Sequence, residues 1–295
     1  IDVPGLETGG GTDNGSRLPN IGVWGLKEFD ALLVTVDGVP VGGPFNPALV
    51  QIPVDDIERI EIVKGPQGSM YGVPAFAGMV QVFTRGGDHE GVTASVGGGS
   101  FGALDGRVAM HHGVPGWNLD VVMAGGHADG WQDRTASDVF SGRVSLSGTA
   151  GRARLAFDLA GLSDQQDWGT PQFVKDGAPV PGFENPERNF AVGGARVDHG
   201  VWSLTSRLSA PLCPVTTLRN TMSVARDHQE SVRSFPGEVT DSTASSEGVA
   251  LTPVEETFFE DLSLVSRFTA GGAHELVAGA AITLGHTAAS GTGFD

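Results

Sequence analysis

The sequence is poor in cysteine, in basic residues and in long apolar runs. Its one cysteine, Cys213, excludes a disulfide within the chain. It has 18 Lys and Arg residues against 35 Asp and Glu residues, a formal net charge of -17, which argues against nucleic acid as a partner. No apolar run reaches the roughly 18 residues that a transmembrane helix requires. The opening residues, IDVPGLETGG, also lack the basic and apolar regions of a signal peptide.

The patterns that usually mark catalytic or metal sites are missing as well. His111 and His112 are adjacent, so in a strand they point to opposite faces and cannot share a metal ion. No Cys and His residues have zinc-site spacing. The stretch VKGPQGS lacks the residue order of a phosphate-binding loop, and there is no Gly-x-Ser-x-Gly turn. We therefore expect no catalytic residues, no metal site and no cofactor, and an enzyme is the least favoured class.

The first part of the chain mixes strand and helix signals. ALLVTVDG (31–38), ERIEIVKG (58–65) and MVQVFTR (79–85) predict strands, because apolar residues are continuous or alternate and turn residues follow. NPALVQIPVDDI (46–57) has apolar residues at helical spacing, with Pro53 suited to the first turn of a short helix. This part is expected to be a small α/β unit.

After residue 91 the pattern changes to segments that alternate apolar and polar residues, as half-buried strands do. We expect about nine antiparallel strands, near 92–98, 102–112, 117–127, 139–147, 152–162, 190–210, 214–229, 256–270 and 273–286. A soluble sandwich would alternate in the same way. The connectors at 128–138, 163–189 and 230–255 are long, and the others are short. If 198–200 is a bend inside one strand, all long connectors lie at one end, which is typical of an outer-membrane β-barrel.

Two stretches together resemble a known family. VTVDGVPVG (34–42) and IPVDDIERIEIVKGPQGSMYGVPAFAGMVQVFTRGG (52–87) resemble the plug domain of TonB-dependent outer-membrane receptors. The matching motif residues, which we interpret as determinants of the plug fold, are Asp37, Gly38, Arg59, Glu61, Gly65, Pro66, Tyr71, Gly72 and Gly78. PNIGVWGL (19–26) resembles a further plug strand, with Trp24 where the family carries arginine.

The resemblance implies the fold class and the domain organisation. We expect a small α/β plug domain over residues 1–88, without its N-terminal part, followed by antiparallel transmembrane β-barrel strands over residues 89–295. The family's barrel has about 22 strands, so the expected strands form an incomplete barrel and the chain is expected to be an internal fragment.

The resemblance also suggests roles for individual residues. Arg59 and Glu61 lie on one face of a strand, and the family's matching arginine faces carboxylates of the barrel wall; a solvated strand face is the alternative. Plug loops that face outward would contact substrate, and their candidate side chains are Arg17, Asn20, Phe45 and Asn46. Trp131, Trp168 and Phe173 in the long connectors are stacking contacts, anchors at the membrane interface or ordinary loop packing.

The function implied is TonB-energised uptake of a scarce nutrient across the outer membrane of a Gram-negative bacterium. A siderophore-type iron chelate is the first expectation, with cobalamin or a glycan as alternatives. The expected partners are the inner-membrane TonB complex, outer-membrane lipid and a small-molecule substrate, and we expect a monomer. A surface binding or adhesion protein without energised transport, or a remnant of a degenerate gene, would share the same sequence features.

Overall fold

A computed structural model describes residues 6–9, 20–23, 25–27, 32–42, 56–67, 75–85, 90–170, 173–240 and 243–294. These residues form four β-sheets joined by turns and loops. Within them, no helix is both long enough and apolar enough to cross a membrane. The helix predicted over 46–57 lies almost entirely outside the described residues.

The first part of the chain forms a three-stranded and a four-stranded sheet. Its strands are β1 (Leu6–Gly9), β2 (Asn20–Val23), β3 (Leu26–Lys27), β4 (Leu32–Val36), β5 (Val39–Val41), β6 (Ile57–Lys64) and β7 (Gly78–Thr84). The four-stranded sheet, here called the plug sheet, has the order β5-β4-β7-β6. β4 and β7 are parallel, and β5 and β6 pair antiparallel to them. The three main strands predicted from the sequence are confirmed.

Local chemistry explains the turns of the plug sheet. Asp37 and Gly38 join β4 to β5 and both have positive φ, 48° and 82°, as the tight Asp-Gly hairpin turn requires. Gly65 ends β6 with φ 92°. At Gly78 a Cβ atom would lie 2.6 Å from the carbonyl oxygen of Val63, so only glycine allows β6 and β7 to pair this closely.

The core of this first part joins the plug sheet to β2. Its buried apolar side chains are Ile21, Val23, Leu32, Val34, Ala77, Val80 and Val82, with Val36, Val41, Ile57 and Ile62 packed against them. Burying this many aliphatic side chains stabilises the unit by about 1.5–3 kcal/mol for each large one. The core therefore fixes β2, β4, β6 and β7 relative to one another.

The rest of the chain forms a nine-stranded antiparallel sheet, here called the wall. Its strands are β8 (Gly91–Gly98), β9 (Leu104–Val114), β10 (Trp117–Ala128), β11 (Ser137–Ala150), β12 (Ala153–Asp167), β15 (Arg196–Cys213), β16 (Thr216–Val239), β17 (Ala244–Thr269) and β18 (Ala273–Phe294). A small hairpin of β13 (Val174–Lys175) and β14 (Ala178–Pro179) lies in the loop between β12 and β15. The wall strands pair in sequence order, and among the described residues β8 and β18 remain as open edges.

The predicted arrangement of connectors is confirmed in outline and wrong at one place. β15 is one continuous strand through 198–200, so this stretch is not a hairpin and the short turns lie at one end of the wall, here called the tight-turn end. The predicted long loop over 230–255 is instead the paired upper part of β16 and β17, which leaves a connector of 240–243. Polar cross-strand bonds such as Ser234 Oγ to Ser246 Oγ, 2.6 Å, replace the apolar alternation that would have revealed these strands.

The two faces of the wall differ in chemistry. The face that contacts the plug sheet, here called the inner face, includes the buried polar side chains of Asp120, Ser141, Ser145, Thr205, Ser223 and Asp227. The opposite, outer face exposes apolar side chains, among them Val108, Met123, Val144, Leu159, Leu204, Leu262, Leu264, Ile282 and Leu284. The expectation of a plug followed by antiparallel strands is therefore confirmed.

Candidate functional site

The plug sheet is attached to the inner face of the wall by a buried ion pair. Arg143 of β11 donates from Nε to Oδ2 of Asp56 at 2.6 Å and from Nη2 to Oδ1 at 2.7 Å. The Asp56 side chain is 3% exposed and that of Arg143 is 14% exposed. Arg143 Nη2 also donates to the carbonyl oxygen of Arg85 at 2.9 Å. One wall arginine thus contacts two plug segments, the residue before β6 and the residue after β7.

A second wall arginine extends this contact to the turn after β4. Arg207 of β15 donates from Nη2 to the carbonyl oxygen of Asp37 at 3.2 Å. Its Nη1 forms an ion pair with Asp158 of β12, which also lies 3.6 Å from Nη1 of Arg143 and accepts a hydrogen bond from Ser145. Two acids and two arginines therefore alternate along the contact, and their charges sum to zero.

Burial and pairing act in opposite directions on the plug carboxylate. Burial raises the pKa of the Asp56 carboxyl above its ordinary value, and the hydrogen bond and positive charge of Arg143 oppose that rise. Separating the pair would leave a charge unpaired in a site with little water, which costs more than the pair contributes. The ion pair therefore acts mainly as a constraint on the position of the plug.

The plug side of the contact is held in shape by Asp37. Its Oδ1 accepts a hydrogen bond from the backbone N–H of Thr84 at 3.0 Å, and its Oδ2 accepts one from Thr84 Oγ1 at 2.7 Å. The end of β7 is thereby fixed beside the turn after β4. This places the carbonyl oxygens of Asp37 and Arg85, which the wall arginines contact, at one end of the plug sheet.

A cavity of about 150 Å³ lies beside this contact, between the turn after β4 and the wall. Arg143 and Asp158 line one side of it, and Asp227 and Glu255, which are directly opposite one another on β16 and β17, line the other. Asp227 Oδ2 lies 2.6 Å from Nε2 of the buried His199. On the first side Arg143 and Asp158 carry opposite charges, whereas Asp227 and Glu255 are both acids.

Two loops at the end opposite the tight turns are fixed to one another through a buried glutamine. Gln132, in the loop 129–136, donates from Nε2 to the carbonyl oxygens of Thr170 at 3.0 Å and Pro186 at 3.1 Å. Its Oε1 accepts from the backbone N–H of Thr170 at 3.0 Å. The loop 168–195 is therefore held at two points along its length by one side chain.

Two further side chains hold the same loop, one from the loop 129–136 and one that contacts a wall strand. Arg134 donates to the carbonyl oxygens of Asn189 at 2.8 Å and Ala191 at 3.0 Å. Trp168, which is buried, donates from Nε1 to the carbonyl oxygen of Ser234 on β16 at 3.0 Å. The loop is thus a packed element that extends the wall beyond the strands.

The aromatic residues predicted in the loops have separate roles in the structure. Phe173 is buried against Phe183 and Phe190, with ring centroids 4.9 and 5.7 Å away. Trp168 is also buried, so these two side chains pack the loop. Trp131 is 55% exposed and remains available for a contact with another molecule.

Arg59 contacts residues of the plug itself. Its Nε donates to Glu61 Oε1 at 2.8 Å, its Nη1 lies 3.6 Å from Glu58, and its guanidinium lies 3.7 Å from the centre of the Phe83 ring. The hydrogen bond to Glu61 raises the pKa of the Arg59 guanidinium. In the described part of the chain, Asp56 is an acid of the plug that contacts the wall. The expected contact between Arg59 and carboxylates of the barrel wall stays a prediction.

Six of the residues named from the sequence lie outside the part of the chain that the structure describes. These are Arg17, Phe45, Asn46, Tyr71, Gly72 and Trp24. Asn20 is the first residue of β2, and its backbone lies opposite Gly9 of β1. Pro66 follows Gly65 at the end of β6, where the Gly65 N–H donates to the carbonyl oxygen of Ala77 at 3.1 Å. The suggested substrate contacts therefore stay predictions.

The sequence predictions did not include the charged side chains that join plug and wall, which are Asp56, Arg143 and Arg207. Asp56 follows another aspartate, and Arg143 and Arg207 lie in the alternating stretches SGRVSLSG and TSRLSA. Because the chain has only 18 Lys and Arg residues, an arginine at a polar position of a strand indicates a possible contact on the polar face. The alternation shows on which face of the strand the arginine lies, but it does not identify the residue that the arginine contacts.

Comparisons with known proteins agree with this arrangement. The family model described as TonB-dependent Receptor Plug Domain matches residues 2–79. The Vitamin B12 transporter BtuB of Vibrio vulnificus is 38% identical over 106 residues, which are 33% of this chain and 16% of that protein. The siderophore receptor PiuA from Acinetobacter baumannii has a TM-score of 0.79 at 16% identity. The superposed residues are 97% of this chain and 42% of the PiuA chain.

The ferripyoverdine receptor of the outer membrane of Pseudomonas aeruginosa, solved bound to ferripyoverdine, shares the same fold. Its TM-score is 0.78 at 15% identity, and the superposed residues are 98% of this chain and 40% of the receptor chain. The chain thus spans less than half the length of these relatives. The relationship in sequence rests on the family-model match over residues 2–79 and on the identity to BtuB. The structural likeness shows that the shared fold continues through the strands of the wall. Residues 2–79 belong to the TonB-dependent receptor plug-domain family, and the chain shares its fold with receptors that carry such a plug.

Proposed function

We propose that this chain is part of an outer-membrane receptor that takes up a scarce nutrient with energy supplied through the TonB complex. The observation that carries the proposal is the ion pair of Asp56 with Arg143, which holds a plug sheet against the inner face of a β-sheet wall. A plug that must be displaced before a path opens requires an energy source. The inner-membrane TonB complex is the proposed source, acting on a segment N-terminal to the plug.

We propose the division of the chain at the segment between β7 and β8. Residues 1–88 would form the plug domain and residues 89–295 the first strands of the barrel. The absence of hydrogen-bonded pairing between the plug sheet and the wall, within the described residues, supports this division. The apolar outer face would contact the lipid of the outer membrane of a Gram-negative bacterium, and we propose a monomer.

The cargo is proposed to be a small molecule that binds the outward plug loops through Arg17, Asn20, Phe45 and Asn46. A siderophore-type iron chelate is one candidate. Cobalamin is a second, favoured by the 38% identity to the Vitamin B12 transporter of Vibrio vulnificus. The relatives are named as receptors and transporters, and we propose no catalytic step for this chain.

Uptake by a deletion strain tests these proposals. Strains with and without the full-length gene are given radiolabelled cyanocobalamin or iron chelates, each with and without an uncoupler of the proton-motive force. Gene-dependent uptake that the uncoupler abolishes supports the proposal and identifies the cargo. Gene-dependent binding at the cell surface that the uncoupler leaves unchanged, with no uptake, would favour the surface binding or adhesion protein instead.

A further inference from the structure

A row of arginine and hydroxyl side chains crosses the wall near its tight-turn end. Arg154 of β12 lies directly opposite Ser209 of β15, and Ser209 lies directly opposite Arg219 of β16. The row continues to Thr149 on β11 and to Ser263 on β17. Five neighbouring strands therefore place two arginines and three hydroxyl groups side by side.

This row lies on the inner face of the wall. Ser209 is two residues from Arg207, and residues two apart in a strand share a face. Arg207 contacts the plug at the carbonyl oxygen of Asp37. The row therefore points to the same side as the plug and away from the apolar outer face.

The two arginines of the row carry charges that the described residues do not neutralise. Arg154 and Arg219 are both exposed, and neither forms an ion pair in the described part of the chain. The nearest acid on the adjoining row is Asp261, opposite Thr221, and it too forms no ion pair there. Unpaired arginines are unexpected in a chain with a net charge of -17, where acids outnumber bases.

A cavity of about 620 Å³ lies over the row. Its lining includes Arg154, Ser209 and Arg219 together with Arg207 and Thr149. Ligand sites in proteins typically measure about 300–1,000 Å³, so the space is sufficient for a small organic molecule. Arg207 is already bonded to Asp158, so the two arginines of the row supply the free positive charge.

The spacing suits an oxygen anion held between the arginines. Neighbouring strands are about 4.8 Å apart, so the backbones of Arg154 and Arg219 are separated by about twice that distance, with Ser209 between them. Guanidinium groups bind carboxylate and phosphate with paired hydrogen bonds, and a serine hydroxyl adds a third donor. We propose that Arg154, Ser209 and Arg219 form a binding site for the carboxylate or phosphate group of a small anionic molecule.

The site also has a consequence for the cargo, which rests on the proposed function. A molecule that passes between plug and wall towards the tight-turn end would meet this row after the ion pair of Asp56 with Arg143. A cargo with free carboxylate or phosphate groups would bind there in transit. We therefore infer that the transported molecule is anionic.

Anion binding to the full-length receptor in detergent tests the site directly. Isothermal titration at low ionic strength uses inorganic phosphate in one arm and citrate in the other, so that the two anion chemistries are compared. Because each arginine supplies charge-assisted hydrogen bonds, Arg154→Gln and Arg219→Gln are each expected to weaken the binding of at least one anion about tenfold. The double variant is expected to lose that binding.

Two further variants keep the result interpretable. Arg226→Gln removes the same charge from the outer face, where Arg226 pairs with Glu256 at 3.5 Å, and should leave anion affinity unchanged. Ser209→Asp keeps both arginines and places a carboxylate between them, so it should also abolish binding. Unchanged affinity in the double variant or in Ser209→Asp, or an equal loss in Arg226→Gln, would overturn the proposed site.

Uptake measured with the same variants separates this inference from the proposed function. If the wild-type receptor binds the anion but transports no cargo, the proposed transport fails and the site stands. If the receptor transports its cargo and the double variant still binds phosphate and citrate as the wild type does, the site fails and transport stands. Slower uptake by the double variant, with cargo binding at the outer loops unchanged, is the expected result.

Discussion

Asp56 and Arg143 are 87 positions apart in the sequence and are joined by two hydrogen bonds of 2.6 and 2.7 Å. One lies just before an edge strand of the plug sheet, and the other lies in a strand of the wall. Since the Asp56 side chain is 3% exposed, the plug cannot move along the wall without separating a buried acid from its base.

Replacing Asp56 with Ala is expected to loosen the plug. The substitution leaves Arg143 buried without its partner, and breaking a buried ion pair in this way typically costs about 3–5 kcal/mol. We expect faster hydrogen exchange of the backbone amides in β6 and β7 of the full-length receptor. We also expect increased passive entry of large antibiotics, because a loosened plug closes the path less completely.

Glu58 supplies a matched control for this prediction. It is an acid of the same plug segment, 57% exposed, with Arg59 at 3.6 Å. Glu58→Ala should leave both hydrogen exchange and antibiotic entry unchanged. The double variant Asp56→Arg with Arg143→Asp swaps the two charges and should restore part of the lost protection against hydrogen exchange. Equal exchange rates in Asp56→Ala and the wild type would contradict the prediction.

Asp37 is expected to tolerate Asn but not Ala. The Asp37 side chain accepts two hydrogen bonds from Thr84, and its φ of 48° lies in a region that Asn adopts more readily than Ala. We expect Asp37→Ala to lower the free energy of unfolding of the plug by about 1–3 kcal/mol. Asp37→Asn should cost less than half as much. Denaturant unfolding, followed by hydrogen exchange at Thr84, measures the free energy of unfolding of both variants. An equal decrease in Asp37→Asn and Asp37→Ala would show that the hydrogen bonds to Thr84 contribute little.

The sequence was sufficient to predict elements whose signals are local. The turn at Asp37 and Gly38 follows from two residues that accept positive φ, and the wall strands follow from an alternation that each strand shows on its own. The sequence predicts a loop for the upper parts of β16 and β17, which the structure shows as paired strands. Their cross-strand contacts are polar, as at Ser234 and Ser246, so no apolar period marks them as strands.

The contacts between plug and wall could not be predicted in this way. Asp55 and Asp56 are chemically identical in the sequence, and only the packing of the plug determines that Asp56 reaches Arg143. Arg59 matches an arginine of the family in sequence, whereas its contacts here are with Glu61 and Phe83. Pairing over long sequence separations depends on the relative position of two sheets, which residue type and spacing do not encode.

The packed loop between β12 and β15 is expected to open when Trp168 is replaced with Ala. The substitution removes the hydrogen bond to Ser234 and the edge contact with Phe235, and loss of a buried Trp typically costs about 3–5 kcal/mol. Trypsin should then cut after Lys175 much faster, because cleavage follows the population of the open loop. Trp131→Ala, at an exposed position, should not change the rate. Equal rates for the two variants would mean that Trp168 does not hold the loop.

The outer face of the wall gives a test of its proposed contact with lipid. Leu159 is 52% exposed and lies between Val144 and Leu204 on the neighbouring strands. In a bilayer, Leu159→Arg is expected to cost about 2–4 kcal/mol, because a charge would enter the hydrocarbon region. In a water-exposed sheet the same change would instead improve solubility.

The measurement compares folding of the full-length receptor into lipid vesicles for Leu159→Arg and for Val174→Arg. Val174 is 56% exposed in the hairpin of β13 and β14, away from the wall strands, so it provides the same kind of substitution outside the proposed bilayer. We expect Leu159→Arg to reduce the folded fraction and Val174→Arg to leave it unchanged. If both variants fold as well as the wild type, the outer face does not contact lipid at Leu159. A loss limited to Leu159→Arg supports the membrane orientation, because exposure is similar at both sites and only the proposed surroundings differ.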